Sequence, residues 1–126
     1  MRIGVQALTV WSMDAAAKLC HILGDSARED KCRAVARRIS SHIATPKKLR
    51  QAAALMVIAG CMDAGDMAER YMHGIDGFST FYGYYMLEAL ARAGRYDDAF
   101  DAISRYWGGM LDLGATTFWE DYDPAW

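Results

Sequence analysis

Helical periodicity runs along almost the whole chain of 126 residues and restricts it to an all-α fold. Apolar residues recur three and four positions apart from Val5 to Leu23, and this spacing resumes after each Gly-containing turn. No segment shows the strict alternation of apolar and polar residues that indicates a strand. The sequence therefore predicts helix hairpins joined by Gly-containing turns.

Capping residues and turn residues divide the pattern into six predicted helices. Ser26 and Glu29 have the spacing of a capping box, with Ser26 as the N-cap of the second helix. Thr45 and Pro46 predict the start of the third helix, because Thr is a good N-cap and Pro is tolerated at the first helical position. The predicted helices cover approximately residues 5–23, 26–43, 46–60, 66–72, 80–93 and 95–109.

Composition restricts the classes of partner. Hydrophobic residues make up 53% of the chain, enough to bury a core and fold as one domain or part of one. The net charge of -2 and the pI near 5.8 argue against a nucleic-acid partner and against an anionic membrane surface. No window approaches 18 uninterrupted apolar residues, so no membrane span is predicted.

Cysteine and histidine usage predicts neither a disulfide framework nor a metal centre. The three cysteines are odd in number and lack a C-x-x-C pair, and we expect them to be reduced and buried as small apolar residues. With no signal peptide readable in the sequence, this usage favours a cytoplasmic location. The histidines show no metal-ligand spacing, so no metal and no cofactor are expected. The residues concerned are Cys20, Cys32, Cys61, His21, His42 and His73.

A motif near the C-terminus is not required by the packing of an ordinary helical domain. It reads Gly114-Ala115-Thr116-Thr117-Phe118-Trp119-Glu120 and follows the run from Tyr106 to Leu113. A carboxylate beside two aromatic residues offers a base for water and an apolar wall for the C–H face of a sugar. Purely structural interpretations stay open. Glu120 is then a solvated or N-capping residue, Trp107 and Trp119 pack against the core, and Thr116 and Thr117 bind the backbone.

Residues 74–126 resemble the C-terminal part of the catalytic domain of α-L-rhamnosidase-like glycoside hydrolases. Residues 78–90 are similar to the inner helix that precedes the catalytic segment, and residues 93–99 to the turn into the next outer helix. The resemblance implies helical hairpins that form part of an (α/α)6 toroid, and a rhamnoside-like carbohydrate as substrate. It implies that Glu120 is the general base of an inverting hydrolysis. The implied substrate-binding residues are Trp119, Thr117, Phe78 and Trp107.

The sequence departs from the family in two respects. The acidic, Asp- and Arg-rich motif that carries the family's general acid has no counterpart here, and an (α/α)6 barrel needs roughly twelve helices, about twice the number predicted. We therefore interpret residues 1–126 as a single helical domain that is a fragment of a larger (α/α)6 catalytic domain and inactive in isolation. Uncovered inner-helix faces predict a homo-oligomer formed through the open face.

Two other interpretations stay open. Residues 87–99 look like a tetratricopeptide hairpin, and a helical-repeat interaction module would bind a peptide through a concave face around Tyr82, Tyr85 and Tyr96. The repeat period of about 34 residues expected for such a solenoid is not found, which favours the toroid. A related six-hairpin enzyme acting on another sugar is the third interpretation.

Overall fold

The computed structural model describes residues 2–126, which form six α-helices and no strand. The all-α prediction is confirmed. Contacts between helices join α1 to α2 and α3, α3 to α4 and α5, and α5 to α4 and α6. The helices are α1 (Arg2–Ile22), α2 (Ser26–Ser40), α3 (Arg50–Ile58), α4 (Ala64–Tyr71), α5 (Thr80–Arg92) and α6 (Tyr96–Asp112).

The start of α2 corrects the predicted capping box. Asp25 is the N-cap, and its carboxylate accepts a hydrogen bond from the backbone N–H of Arg28 at 3.0 Å. Ser26 is already the first helical residue. Glu29 does not reach back to the helix start, because its carboxylate binds Arg33 at 2.7 Å and His21 at 3.1 Å. An acidic N-cap and a salt-bridged Glu replace the reciprocal pair that the sequence predicted.

The connection between α2 and α3 is longer than predicted. The second helix ends at Ser40 instead of Ile43, and the third begins at Arg50 instead of Pro46. Lys47 has a positive φ of 54°, a left-handed conformation that cannot continue a right-handed helix started at Pro46. Pro46 is instead buried in the turn, and its carbonyl accepts a hydrogen bond from the N–H of Leu49 at 3.0 Å.

Helix α3 is buried along nearly its whole length. Residues 52–58 are all buried, which leaves no solvent-facing stripe on this helix. One side of α3 joins the α3–α6 core, and the other joins the α1–α3 core. The buried α3–α6 core comprises Ala53, Ala54, Val57, Met67, Ala68, Met72, Ile75, Phe78, Met86, Ala89, Leu90, Ala102, Tyr106 and Met110. The buried α1–α3 core comprises Ala7, Val10, Ala36, Leu55, Met56 and Ala59.

The pairing of α5 with α6 depends on a glycine. Gly83 is buried inside α5, and a Cβ at this position would lie 2.8 Å from Cη2 of Trp107 and 3.2 Å from Cδ1 of Phe78. Phe78 and Trp107 meet edge to face with ring centroids 6.3 Å apart. Gly83 therefore leaves room for an aromatic contact that larger residues exclude.

Helix α6 continues through Gly108 and Gly109 to Asp112, beyond its predicted end. A helical Gly costs about 1 kcal/mol relative to Ala, and packing on this stretch of α6 overrides that preference. The positive φ of Gly114 (88°) closes the helix instead. Within residues 2–126, no helix combines the length and the apolar character needed to cross a membrane.

The close approach at Gly83 predicts the effect of one methyl group. Gly83→Ala should destabilise the protein by about 1 kcal/mol, because overpacking costs ~1–3 kcal/mol and the gain in helix propensity offsets only part of it. Gly108→Ala is the matched control, since a Cβ there meets nothing within 4 Å and should stabilise α6. Urea denaturation of both variants measures the difference. Equal stabilisation by the two substitutions would contradict the packing argument.

Candidate functional site

The C-terminal segment, residues 113–126, folds back onto the N-terminal end of α5. The N–H of Thr80 donates to the carbonyl of Glu120 at 3.3 Å, and the Thr80 hydroxyl donates to the carbonyl of Trp119. Ser79 caps the same helix end by accepting a hydrogen bond from the N–H of Tyr82 at 3.1 Å. These bonds place Glu120 beside the first turn of α5.

A buried tyrosine of α6 holds the C-terminal segment through a hydrogen bond. Tyr106 is 1% exposed, and its hydroxyl donates to Oδ1 of Asp121 at 3.0 Å. The N–H of Tyr122 donates to the same oxygen at 2.9 Å. Burial, together with the hydrogen bond and charge of Asp121, raises the pKa of Tyr106 to about 12. Tyr106 therefore stays a hydrogen-bond donor throughout the physiological pH range.

Tyr122 makes the second attachment. Its ring meets that of Tyr106 edge to face at 5.6 Å between centroids and covers α6 at Gly109, where a Cβ would lie 2.5 Å from Cζ of Tyr122. Trp126 in turn meets Tyr122 edge to face at 6.3 Å. Gly109 stays helical although the sequence predicted the helix to end there. It provides the space in which Tyr122 and the C-terminal segment dock.

Glu120 lies in an exposed groove with a volume of about 450 Å³. The lining residues are Ser79, Phe81, Tyr82, Glu120 and Asp121. The ring of Phe81 is 66% exposed and lies edge to face with that of Tyr82, their centroids 5.2 Å apart. The groove therefore combines two carboxylates with two accessible aromatic side chains.

Phe81, Tyr82 and Asp121 line this groove, although sequence reasoning did not name them as site residues together with Glu120. The signal for Asp121 was its position next to Glu120. For the two aromatic residues the only signal was the aromatic stretch at the start of α5, which does not show which rings face outward. Their connection to Glu120 depends on the fold-back of the C-terminal segment, which no local pattern predicts.

The predicted substrate-binding residues do not assemble around Glu120. Trp107 and Thr117 line a separate pocket of about 580 Å³ with Phe118, and Glu120 is not part of that lining. Phe78 is 6% exposed in the α3–α6 core, so it supports Trp107 and offers no surface to a ligand. Trp119 is half-buried against the same core and presents its backbone carbonyl to Thr80.

The apolar wall expected beside Glu120 is formed by other residues. Phe118 is 78% exposed and belongs to the Trp107 pocket, and Trp119 packs against the core. Phe81 and Tyr82 of α5 are the aromatic residues that line the groove beside Glu120. Glu120 itself is exposed, and no side chain of residues 3–126 forms an ion pair with its carboxylate.

The three tyrosines of the helical-repeat interpretation do not share one groove. Tyr82 lines the Glu120 groove, whereas Tyr96 lines a groove of about 250 Å³ between α5 and α6. Tyr85 is half-buried and packs against both cores. Tyr82 and Tyr96 therefore lie on different grooves, and the ring of Tyr85 lies 6.3 Å from that of Tyr82 between centroids.

The remaining candidate ligands are dispersed. No three His, Cys, Asp or Glu side chains within residues 2–126 converge on a point where a metal ion could be held. The prediction that the cysteines are buried was wrong: all three are only half-buried, and they are free. His21 pairs with Glu29, and the ring of His42 contacts its own helix end at the carbonyl of Arg38 at 2.9 Å.

Fold and geometry define an all-α helical-hairpin protein with a carboxylate groove at one helix end. Comparison with protein-family models, with curated proteins and with solved structures finds no match to this chain. Any assignment of function therefore depends on the residues of the groove and on the motif that supplies Glu120.

The Tyr106 hydroxyl predicts a pH dependence of stability. Unfolded, this tyrosine titrates near its ordinary pKa of 10.0, and in the fold its pKa is about 12. The raised pKa means that its full contribution is present below pH 10 and is lost as the pH rises to 12, by about 2–3 kcal/mol in total. Tyr106→Phe should flatten the fall of unfolding free energy across this window. The exposed Tyr84→Phe should keep the wild-type slope, and identical slopes for wild type and Tyr106→Phe would contradict the assignment.

Docking of the C-terminal segment predicts a second effect. Gly109→Ala should displace Tyr122 from α6 and expose residues 113–126 to limited proteolysis, with at least a tenfold faster cut at low protease. Gly108→Ala, one residue away on the same helix, should leave the rate of cleavage unchanged. Mass spectrometry of the fragments locates the cut. Protection of the segment in both variants would show that Tyr122 does not hold it.

Proposed function

We propose that this chain carries the base-bearing half of the active site of an inverting glycosidase similar to α-L-rhamnosidases, with Glu120 as general base. The observation that carries the proposal is the groove in which Glu120 and Asp121 lie beside the accessible rings of Phe81 and Tyr82. Sugar sites combine carboxylates with aromatic faces, because a ring can cover the apolar C–H face of a sugar while polar groups bind its hydroxyls.

The chemistry requires Glu120 to act on water. An inverting glycosidase uses a carboxylate to remove a proton from the attacking water and a carboxylic acid, roughly 6.5–9.5 Å away, to protonate the leaving oxygen. Glu120 is exposed to solvent in the groove, so a water molecule can reach its carboxylate. Its backbone is held by Thr80, which places the Glu120 side chain at the start of α5.

Asp121 has a structural task in the segment. Its Oδ1 accepts hydrogen bonds from the Tyr106 hydroxyl and from the N–H of Tyr122. We therefore assign Asp121 to positioning the segment. The proposal therefore assigns the general acid to another part of a larger catalytic domain, and the isolated chain should not hydrolyse rhamnosides.

The aromatic residues proposed to contact the sugar are those of α5 and not those predicted from the sequence. Phe81 and Tyr82 lie on the groove, whereas Trp107 and Thr117 lie on the separate pocket. We therefore assign the sugar contact to Phe81 and Tyr82 and keep Trp119 as the backbone partner that fixes the segment. Trp107 then has a structural role through its packing on Phe78.

Exposed apolar faces support the larger (α/α)6 toroid. Between α5 and α6 the groove of about 250 Å³ is mainly apolar, and Phe100 on its rim is 68% exposed. Contiguous apolar surface is usually covered by other protein surface, here by further helix hairpins or, in the chain alone, by a second copy. Its lining residues are Tyr84, Leu87, Glu88, Ala91, Tyr96, Ala99, Phe100 and Ile103.

Sugar binding to the chain alone tests the proposal without requiring turnover. Titration with L-rhamnose should shift NMR signals of Phe81, Tyr82 and Glu120, with dissociation constants on the order of millimolar. Phe81→Ala should weaken binding about fivefold to tenfold, since loss of one stacking contact costs ~1 kcal/mol. Glu120→Gln should weaken it by a similar factor, because a charge-assisted hydrogen bond is lost.

Phe118→Ala is the matched control, because it removes an equally exposed ring from the separate pocket. It should leave rhamnose binding unchanged. Shifts confined to Trp107 and Thr117 would place the sugar in the other pocket. Absence of shifts with any monosaccharide, together with shifts at Tyr96 and Phe100 on addition of peptides, would favour a helical-repeat interaction module.

A further inference from the structure

The hairpin of α1 and α2 has a fixed register near its turn. The N–H of Asp25 donates to the carbonyl of Cys20 at 2.9 Å, and Asp25 then caps α2. Across the hairpin, Nδ1 of His21 lies 3.1 Å from Oε2 of Glu29. These contacts place the last turn of α1 against the first turns of α2.

This register brings two cysteines together. Cys20 directly precedes His21 on α1, and Cys32 lies three residues after Glu29, on the same side of α2. The hairpin register places the Cys20 and Cys32 thiols near each other, close enough for Cys32 to raise the pKa of the Cys20 thiol. Both residues are only half-buried, so a small reagent can reach them.

Cys61 differs from this pair in its surroundings. It follows α3, and its thiol donates to the carbonyl of Ala59 at 3.7 Å. Burial raises the pKa of the Cys61 thiol, as it does for Cys20, so its distinguishing feature is the hydrogen bond to its own backbone. The chain therefore contains a neighbouring pair and a third cysteine bonded to its own backbone, which serves as an internal control.

We propose that Cys20 and Cys32 are a redox-active pair that closes to an intramolecular disulfide by exchange with a small-molecule disulfide such as oxidised glutathione. One cysteine thiolate attacks a sulfur of the reagent, forms a mixed disulfide and releases one small thiol, which takes up a proton. The second cysteine thiolate then attacks the protein sulfur of the mixed disulfide and releases the other small thiol. Two protein thiols are oxidised and one small disulfide is reduced to two thiols.

The surroundings of Cys20 set the conditions for this exchange. The pKa of the Cys20 thiol is raised, mainly by burial. The neighbouring Cys32 and Asp25 raise this pKa further, and the charge of Arg28 lowers it. A raised pKa leaves less thiolate at neutral pH, so the reduced pair persists there and exchange is faster in mildly alkaline buffer. The oxidation test is therefore best run at about pH 8, close to the ordinary pKa of a cysteine.

Closure would connect two helices that both contribute to the α1–α3 core. Ala7 and Val10 of α1 and Ala36 of α2 belong to the α1–α3 core. The disulfide would enclose a loop of about a dozen residues and restrict the unfolded chain. The oxidised protein should melt about 10 °C higher than the reduced protein.

Thiol counting with excess oxidised glutathione under native conditions tests the proposal. Wild type should fall from three free thiols to one, and peptide mapping should join Cys20 to Cys32. Cys61→Ser should fall from two thiols to none and melt about 10 °C higher when oxidised. Cys32→Ser should instead retain glutathione on Cys20, because no second thiol can displace it.

Three results would overturn the inference. The first is a stable mixed disulfide on Cys20 or Cys32 in the wild type, which would show that the two sulfurs cannot meet. The second is a disulfide that includes Cys61 or joins two chains. The third is retention of all three thiols while a small model thiol in the same solution is oxidised. Far-UV circular dichroism of each variant verifies that the helices are intact before oxidation.

Discussion

Burial of α3 on all sides is the constraint on which the rest of the structure depends. Residues 52–58 supply Ala53 and Val57 to one core and Leu55 and Met56 to the other, so this short helix is a wall shared by two clusters. Small residues allow the neighbouring helices to come close on both sides. The N-terminal hairpin and the helices that present the groove are thus joined mainly through α3 and through residues such as Tyr85, which contacts both cores.

The second dependence is the seating of the C-terminal segment on α6. A buried hydroxyl on Tyr106 needs a partner, and Asp121 supplies it, so the segment satisfies a polar group that the core would otherwise leave unpaired. Gly109 provides the space for Tyr122 on the same helix. The Tyr106–Asp121 hydrogen bond and the packing of Tyr122 on Gly109 together hold residues 113–126. The hydrogen bond from the N–H of Thr80 then places Glu120 at the start of α5.

The helices were predictable from the sequence because their periodicity and caps are local. Gly24 and Gly94 both adopt positive φ in the turns that were expected to end helices. The errors occurred where tertiary contacts override local preference: Lys47 adopts a left-handed conformation that delays α3, and Gly109 stays helical beneath Tyr122. The site was less predictable still, since no periodicity shows that a C-terminal segment will return to α5.

Glu120 and Asp121 show why adjacency in sequence does not decide chemical roles. Both line the same groove, yet Asp121 is held by two donors from the protein, whereas the Glu120 side chain faces the open groove. The Asp121 oxygen that accepts these two hydrogen bonds holds the backbone of the segment, whereas the exposed Glu120 carboxylate is open to water and can accept a proton from it. The division of roles follows from Tyr106: removal of its hydroxyl takes away one of the two donors to Asp121 Oδ1 and loosens the segment that carries Glu120, so the anchoring residue and the base must be tested separately.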